Sequence, residues 1–393
     1  MHRGIATFTL DYGTCPPWLF RRMVQLGRAM LEVMVDMFGP DEVVRRLADP
    51  VWFQALGTVL AFDWNASGLT TILTAALKEA IREREIELGL FICGGKGKTS
   101  RKTPDEITNW GDRLALPDPS VANLVYNSKM SAKVDSALVQ DGFQIYHHCF
   151  IFSRTGAWTV IQQGMNTALQ TARRYHWHSL HVHDLVCEPH AAIISPATLD
   201  SMLDLTAKKS TPSREASVSL VKDGFSSLMH EVTILRKHAS SLSQMISVKK
   251  DTEQLTLLNL ENTEFTTHLV INENFGKSAY LEKILSKLCE ETPSDYATLL
   301  ATQGVGPKTV RALALVAEMV YGAKPSYEDP ARYSFAHGGK DATPFPIDYD
   351  TYDQTISLMQ EVIKRAKLTP GDKTKAHEKL KNSVSPILKP ATT

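Results

Sequence analysis

Cysteine is scarce and scattered in this sequence. The five cysteines, Cys15, Cys93, Cys149, Cys187 and Cys289, stand far apart with no Cys-x-x-Cys pair. That spacing excludes a zinc ribbon, a dense disulfide frame and a four-cysteine iron–sulfur cluster. It fits a reducing, cytoplasmic setting in which the cysteines serve as small core residues. Long apolar runs are missing too: none approaches the roughly 20 residues that span a bilayer, so no membrane partner is expected. The first residues, MHRGIATFTLDYG, lack the apolar stretch of a secretory signal. Nor is there an excess of either charge. Lys+Arg and Asp+Glu both number 43, for a formal net charge of zero. With no whole-molecule field to draw in a polyanion, any grip on one has to come from local patches.

What is present is an ordinary globular composition, 43% hydrophobic and 22% charged, which suffices for a sizeable core. At about 100–200 residues per domain, 393 residues make two or three domains. From Pro17 to about Glu87 the chain reads as helical. PPWLFRRMVQLGRAMLEVMVDMF repeats apolar residues at spacings of three and four, with prolines where a helix can start. A further helix is expected around SVANLVYNSKMSAKVDSALVQ. The texture then changes. FQIYHHCFIF and AWTVIQQGM, rich in aromatic and β-branched residues, flank Ser153–Gly156 and read as a β-hairpin. ARRYHWHSLHVHDLVCEPHAAII offers another strand or two.

These features predict an α+β domain over residues 1–205. The polar stretch TAKKSTPSREASVSL reads as a linker or exposed loop at 206–225. A mainly α-helical C-terminal domain is expected over 226–367, although 229–274 fits no pattern. The lysine-rich residues 368–393 read as a partly disordered tail.

The sharpest local signal is PSDYATLLATQGVGPKTVRALALVAEMVYG. A short helix leads into Gly304-Val305-Gly306, and a longer one starts at Pro307. The glycines permit a tight turn and close approach of backbone N–H groups to a phosphate. Pro307 suits the first position of a helix, whose N-terminus offers free N–H groups and a positive dipole end to an anion. Lys308 and Thr309 add a charge and a hydroxyl, and Val305 should pack between the helices. The segment resembles the helix-hairpin-helix of DNA repair and recombination proteins, which grips the phosphate backbone without reading bases. The plainer alternative is a Gly-Pro turn inside an all-α core. Lys308 also stands where endonuclease III-like glycosylase/lyases carry a Schiff-base lysine, and Asp329 stands roughly where they keep an aspartate. That resemblance implies a lyase site of Lys308 and Asp329. Thr302-Gln303 replace the leucine-proline pair of that superfamily. Further on, His337–Asp341 reads as a functional loop or a surface Ω-loop.

A second constellation lies in the N-terminal half. Asp135, Asp141, His147, His148, His176, Glu188 and His190 fall around the expected hairpin, with Gln162-Gln163 at the end of its second strand. On a strand His147 and His148 point to opposite faces, so only one can join a given site. A carboxylate with imidazoles beside a phosphate suits a metal-dependent phosphodiesterase, with the metal polarising the phosphoryl oxygen and generating hydroxide. Asp135, Asp141, His147, His176 and Glu188 are the candidate metal ligands, for Mg²⁺ or Mn²⁺. Asp141, His147, His148 and His190 are the candidate catalytic residues. The alternative is a set of ordinary surface or hydrogen-bonded histidines, the reading preferred for His178, His181 and His183.

Gly94–Lys102 ends in Gly-Lys-Thr, like a Walker A loop, but Ile92 occupies the place of the required glycine, so ATP is not expected. Lys96, Lys98, Arg101 and Lys102 among these glycines suit a phosphate clamp instead, or a solvated loop. Arg173-Arg174-Tyr175-His176-Trp177 interleaves basic and aromatic groups that suit phosphate contact and base stacking, or the core.

Taken together, PPWLFRRMVQLG, FQALGTVLAFDWNASGLTT, GGKGKTSRKTP, SAKVDSALVQDGFQIYHHCFIF, WTVIQQGMN, ARRYHW, EPHA and GVGPKTVRALALVAEMVYG resemble the ordered blocks of the domain-of-unknown-function 763 family of archaea and bacteria. The resemblance covers most of residues 1–350 and implies a soluble prokaryotic-type protein, but no activity. The residues lead us to expect a metal-dependent deoxyribonuclease acting in DNA repair or recombination. The alternatives are a base-excision glycosylase/lyase using Lys308 and a non-catalytic DNA-binding or scaffold protein. DNA is the expected partner; RNA and homo-oligomerisation are compatible with the same features.

Overall fold

The computed structural model describes residues 14–60, 66–238, 247–250, 253–256, 278–331, 333–334 and 349–384. The expected loop at His337–Asp341 lies outside them. The chain forms two compact units. One comprises residues 1–135, 142–199 and 330–393, and the other residues 136–141 and 200–329. The second unit is thus an insertion, where the sequence led us to expect consecutive domains.

The first unit opens on α1 (Pro17–Phe38), α2 (Pro40–Ala48) and α3 (Pro50–Val59), each with a proline in its first turn, where the missing N–H costs no hydrogen bond. Gly39, at φ +79°, makes the turn between the first two. Asp49 caps α3, its Oδ1 accepting from Val51 N at 2.8 Å and Trp52 N at 3.1 Å. After α4 (Ala66–Ala80) and the short α5 (Glu85–Leu88) comes β1 (Leu90–Lys96). A 3-10 turn at Gly97–Lys102 leads into α6 (Thr103–Arg113) and α7 (Asp118–Ala137). β2 (Val139–Gln140) belongs to the second unit. The first unit resumes with β3 (Gln144–Ser153), β4 (Trp158–Asn166), β5 (Thr171–His178) and β6 (His190–Ser195).

The sheet runs β1-β3-β4-β5-β6, antiparallel throughout, and a two-residue strand at Tyr333–Ser334 adds in parallel beyond β6. The expected hairpin is β3–β4, its turn closed by Gly156 at φ +93°. Strand β1 was not expected, because its Gly-Gly-Lys end looks like loop. Gly94 is there for closeness: a Cβ on it would sit 2.3 Å from the His148 carbonyl oxygen and 2.4 Å from Thr103 Oγ1. Both faces of the sheet are covered, so its strands are apolar in runs rather than in alternation. On one face Phe91 stacks on Phe152 and packs against Trp110 of α6, with ring centroids 5.0 Å apart in each pair.

In the second unit β2 pairs with β7 (Leu203–Asp204) in antiparallel fashion. A 3-10 turn at Lys208–Ser210, α8 (Thr211–Lys222) and α9 (Phe225–His238) follow, then the hairpin of β8 (Ser247–Lys250) and β9 (Glu253–Thr256). The unit continues with α10 (Ala279–Glu291), α11 (Tyr296–Ala301) and α12 (Pro307–Tyr321). The stretch expected to be a linker is therefore a packed part of this unit. Ser210, Ser213, Arg214 and Ser217 are buried. Ser217 Oγ donates to Ser213 O at 2.7 Å, and Arg214 Nη1 donates to Leu205 O at 2.6 Å. Small hydroxyls that bond the local backbone can enter a core without an external partner.

The chain then returns to the first unit with α13 (Tyr349–Arg365) and α14 (Pro370–Val384). Met359, Val362, Ile363, Ala376 and Leu380 of these helices join one core with Met30 and Met34 of α1, Trp52 and Phe53 of α3, and Ile92, Cys149 and Ile161 of the sheet. The expected tail is thus helix as far as Val384, and neither expected boundary at 225 nor that at 367 is observed.

Gly94 offers a direct check. Its φ of +86° and its contact with backbone rather than a movable side chain leave no relief for a methyl group. Gly94→Ala is expected to lose about 3 kcal/mol, read from the urea midpoint at unchanged m-value.

Candidate functional site

The first unit's sheet carries polar pairs on neighbouring strands. His147 faces Gln163 and His148 faces Gln162 across β3–β4, while Gln163 faces Arg174 and Gln162 faces Tyr175 across β4–β5. Because side chains alternate along a strand, each dipeptide sends one member to each face. The result is two separate buried polar networks back to back.

On the α7 face the network ends on Asp135, which is fully buried. A carboxylate only accepts hydrogen bonds, and this orients every partner in turn. Gln162 Nε2 donates to Asp135 Oδ2 and, at 3.1 Å, to Ser131 O. Gln162 Oε1 therefore accepts from His148 Nδ1 at 3.0 Å, and His148 Nε2 accepts from Ser128 Oγ at 2.9 Å. Trp177 Nε1 donates to Asp135 Oδ2 at 3.0 Å and His190 Nε2 donates to Oδ1 at 2.5 Å. His190 Nδ1 has no hydrogen-bond partner among the described residues, and the side chain is 7% exposed. Taking away Asp135 alone would strand buried donors from three strands, at about 3–5 kcal/mol.

On the opposite face His147 Nε2 lies 3.2 Å from Thr74 Oγ1 of α4. Gln163 Nε2 donates to Ser67 O at 2.9 Å and to the Tyr146 hydroxyl at 2.5 Å. Arg174 donates to Thr70 Oγ1 at 3.2 Å and lies over the Phe53 ring at 4.8 Å. His176 meets Phe53 edge-on at 5.5 Å. Burial holds His147, His148 and His176 neutral. Burial pushes the His147 pKa down to about 3, with repulsion from His148 and Lys96 adding to it. Burial also lowers His148 against the pull of Gln162 and Asp135, and drives His176 well down with help from the Arg174 charge. Burial lowers Arg174 to about 9, which still leaves it charged at neutral pH.

The expected site residues are thus divided. Asp135, His148 and His190 share one network, and His147 and His176 line the other face of the sheet. Glu188 is exposed, at φ +48°, and Asp141 is buried in the second unit. Among the described residues no group of three His, Cys, Asp or Glu side chains is placed to hold a metal ion. Arg173 and Arg174 are fully buried, so they are not the surface phosphate contacts expected. Arg173 Nη2 donates to Ser195 Oγ at 3.2 Å, and its guanidinium lies over Phe143 at 4.9 Å. Gln162 and Trp177 were not expected as partners of Asp135, nor Ser128 as a partner of His148. The facing His-His and Gln-Gln pairs were the available signal, since strand pairing fixes which members meet.

Two exposed cationic features complete the picture. In the first unit Gly94–Lys96 end strand β1 and only Gly97–Lys102 form the turn expected for the whole stretch. Lys96, Lys98, Arg101 and Lys102 are exposed there, and none of their side chains makes an ion pair or hydrogen bond among the described residues. Lys96 Nζ stands 5.9 Å over the Tyr146 ring. In the second unit α11 and α12 are joined by a turn in which Gly304 takes φ +97° and Gly306 is extended. Val305 and Thr309 are buried, and Lys308 is exposed with no side-chain hydrogen bond or ion pair among the described residues, to Asp329 or any other.

A family model matches residues 4–347. This chain belongs to the family described as protein of unknown function, DUF763. No curated protein and no solved structure matches it. The DUF763 blocks quoted from the sequence include strands β3, β4 and β5, the glycine-containing end of β1 and the α11–α12 turn.

The neutral histidines make this DUF763 protein acid-sensitive. Below about pH 6.5 the unfolded chain takes up protons that buried His147 refuses until about pH 3. Its contribution is therefore fully present above that range and is lost as the pH falls. Between pH 7 and 4.5, His147→Gln is expected to remove about 2–3 kcal/mol of the acid-induced loss, measured by urea unfolding at both pH values.

Proposed function

We propose that this DUF763 protein binds the phosphate backbone of nucleic acid, DNA in the first instance, using the α11–α12 turn as a helix-hairpin-helix. The observation that carries this reading is the start of α12. Pro307 opens it, no side chain caps it, and exposed Lys308 stands beside it without a partner. Its free N–H groups, the dipole end and an unpaired ammonium all favour an anion at one place. The turn is also held from behind. The Tyr280 hydroxyl donates to Gly304 O at 3.3 Å, Lys287 Nζ donates to Gln303 O at 3.3 Å, and a Cβ on Gly304 would meet Ile284 Cδ1 at 2.4 Å. The turn's carbonyls are thus tied to α10, and ordering the loop costs a ligand little.

The four exposed cations at Lys96–Lys102 are a second, independent phosphate-binding surface in this reading. The lyase alternative gains no support, since Lys308 is exposed and makes no side-chain hydrogen bond or ion pair among the described residues. Of the enzymatic readings, hydrolysis of the bound strand is favoured by the Asp135–His190 pair.

Fluorescence anisotropy with labelled duplex and single-stranded DNA tests the proposal. Affinity should fall linearly with salt on logarithmic axes, and Lys308→Ala should flatten that slope by about 1. Lys98→Ala with Arg101→Ala should weaken binding by a comparable or larger factor. Absence of DNA binding at low salt, or binding indifferent to all three substitutions, would sink the proposal.

A further inference from the structure

We infer that His190 is the general base of a hydrolytic centre in the first unit and that Asp135 is the residue that positions it. The inference rests on the nucleic-acid reading for its substrate class, a phosphodiester. Four observations converge on this imidazole. Its Nε2–H is fixed on a fully buried carboxylate at 2.5 Å, which places the lone pair of the neutral ring on Nδ1. Its ring is set edge-on against Trp177 at 4.8 Å and lies 6.2 Å from Tyr175. The pairing of β5 with β6 shifts register at His176/Trp177, opposite His190, and such bulges re-aim side chains. Glu188 is held at φ +48° just before Pro189, a conformation that a residue preceding proline avoids, and this fixes how the chain enters β6.

The other histidines on the sheet cannot serve in this way. His148 has both nitrogens engaged, by Ser128 and Gln162. His147, His176 and His178 are buried on the far face. His190 alone among these five couples a buried carboxylate to a ring nitrogen that has no hydrogen-bond partner among the described residues and is not fully enclosed, on a side chain 7% exposed. An aspartate in this position holds the tautomer and stabilises the imidazolium as it forms, without taking the proton itself.

The step balances with water as the only co-reactant. His190 Nδ1 takes one proton from a water whose oxygen forms a bond to phosphorus. The bond from phosphorus to one sugar oxygen breaks, and that oxygen leaves with the electron pair. The proton on His190 passes to it, giving a phosphomonoester and an alcohol and restoring the neutral imidazole.

The test uses the full chain on labelled single-stranded, duplex, flap and bubble DNA, with Mg²⁺, Mn²⁺ or EDTA, and DNA binding followed separately by anisotropy. Cleavage is expected, with His190→Gly lowering kcat by about 10²–10⁴-fold at unchanged DNA affinity. Free imidazole should restore part of the lost rate, which a merely structural role for the ring would not allow. Asp135→Asn should lower kcat while leaving KM within about two-fold, because it spoils the tautomer and not the binding surface. His190→Gln, which keeps a donor toward Asp135, replaces the glycine variant if thermal melting shows the latter unfolded. Cleavage that persists in both His190 variants, or a lost rate that imidazole does not restore, overturns the assignment. Binding without products on any substrate also overturns it and leaves the nucleic-acid reading standing, whereas absence of binding removes that reading itself.

Discussion

A carboxylate with no exposed surface has to find its donors inside the protein, and much of the first unit is arranged around that requirement at Asp135. Its oxygens accept from Gln162 on β4, Trp177 on β5 and His190 on β6, while Asp135 itself sits near the end of α7. One side chain thereby fixes the position of a long helix over three adjacent strands. It fixes register as well. A slip of one residue along β4 or β5 would send Gln162 or Trp177 to the wrong face. The pairing adds little net stability over a well-packed apolar alternative, but breaking one side of it is expensive. A network of this kind therefore selects among arrangements more than it deepens the chosen one.

The two faces of the sheet use the same residue types to different ends. Toward α7 the hydrogen bonds run in one direction, from Ser128 through His148 and Gln162 to Asp135, and the sequence of acceptors leaves no donor misplaced. Toward α3 and α4 the cationic Arg174 is surrounded by Thr70, Gln54 and an aromatic ring, with neutral histidines at its side. There, buried His147 Nδ1 and Gln163 Oε1 have no hydrogen-bond partner among the described residues, and His176 is left to the backbone of Leu47 and Ala48. The α7 face is a closed, directional relay with one open nitrogen, and the other face is a strained polar inclusion in an apolar core.

How much of this could be read in advance depended on whether the signal was local. Helix starts at Pro17, Pro40 and Pro50 and the β3–β4 turn at Gly156 follow from backbone preferences of the residues themselves, and they were legible. Strand β1 was not, because Gly94 is required by the approach of the His148 carbonyl from β3, a partner 54 positions further along the chain. Arg173 and Arg174 read as surface groups since nothing nearby in sequence announces Ser195, Phe143, Thr70 or Gln54 as their company. What separates Asp135 from Asp141 was not legible for a related reason. Asp141 is closer to β3 along the chain, but the sheet is reached from the end of α7, where Asp135 lies.

The return of α13 and α14 to the first unit also orders events during synthesis. The core that holds Met30, Trp52 and Ile161 is completed by Met359, Val362 and Leu380, more than three hundred residues after α1 begins at Pro17 and with Leu380 as the last of them. Residues 200–329 leave the ribosome before that core can close. The second unit can consequently mature while the first still exposes an apolar surface to solvent or to chaperones, and contacts of such long separation are slow to form. A prematurely terminated chain would contain every strand of the sheet from β1 to β6 and yet lack the helices that cover its core.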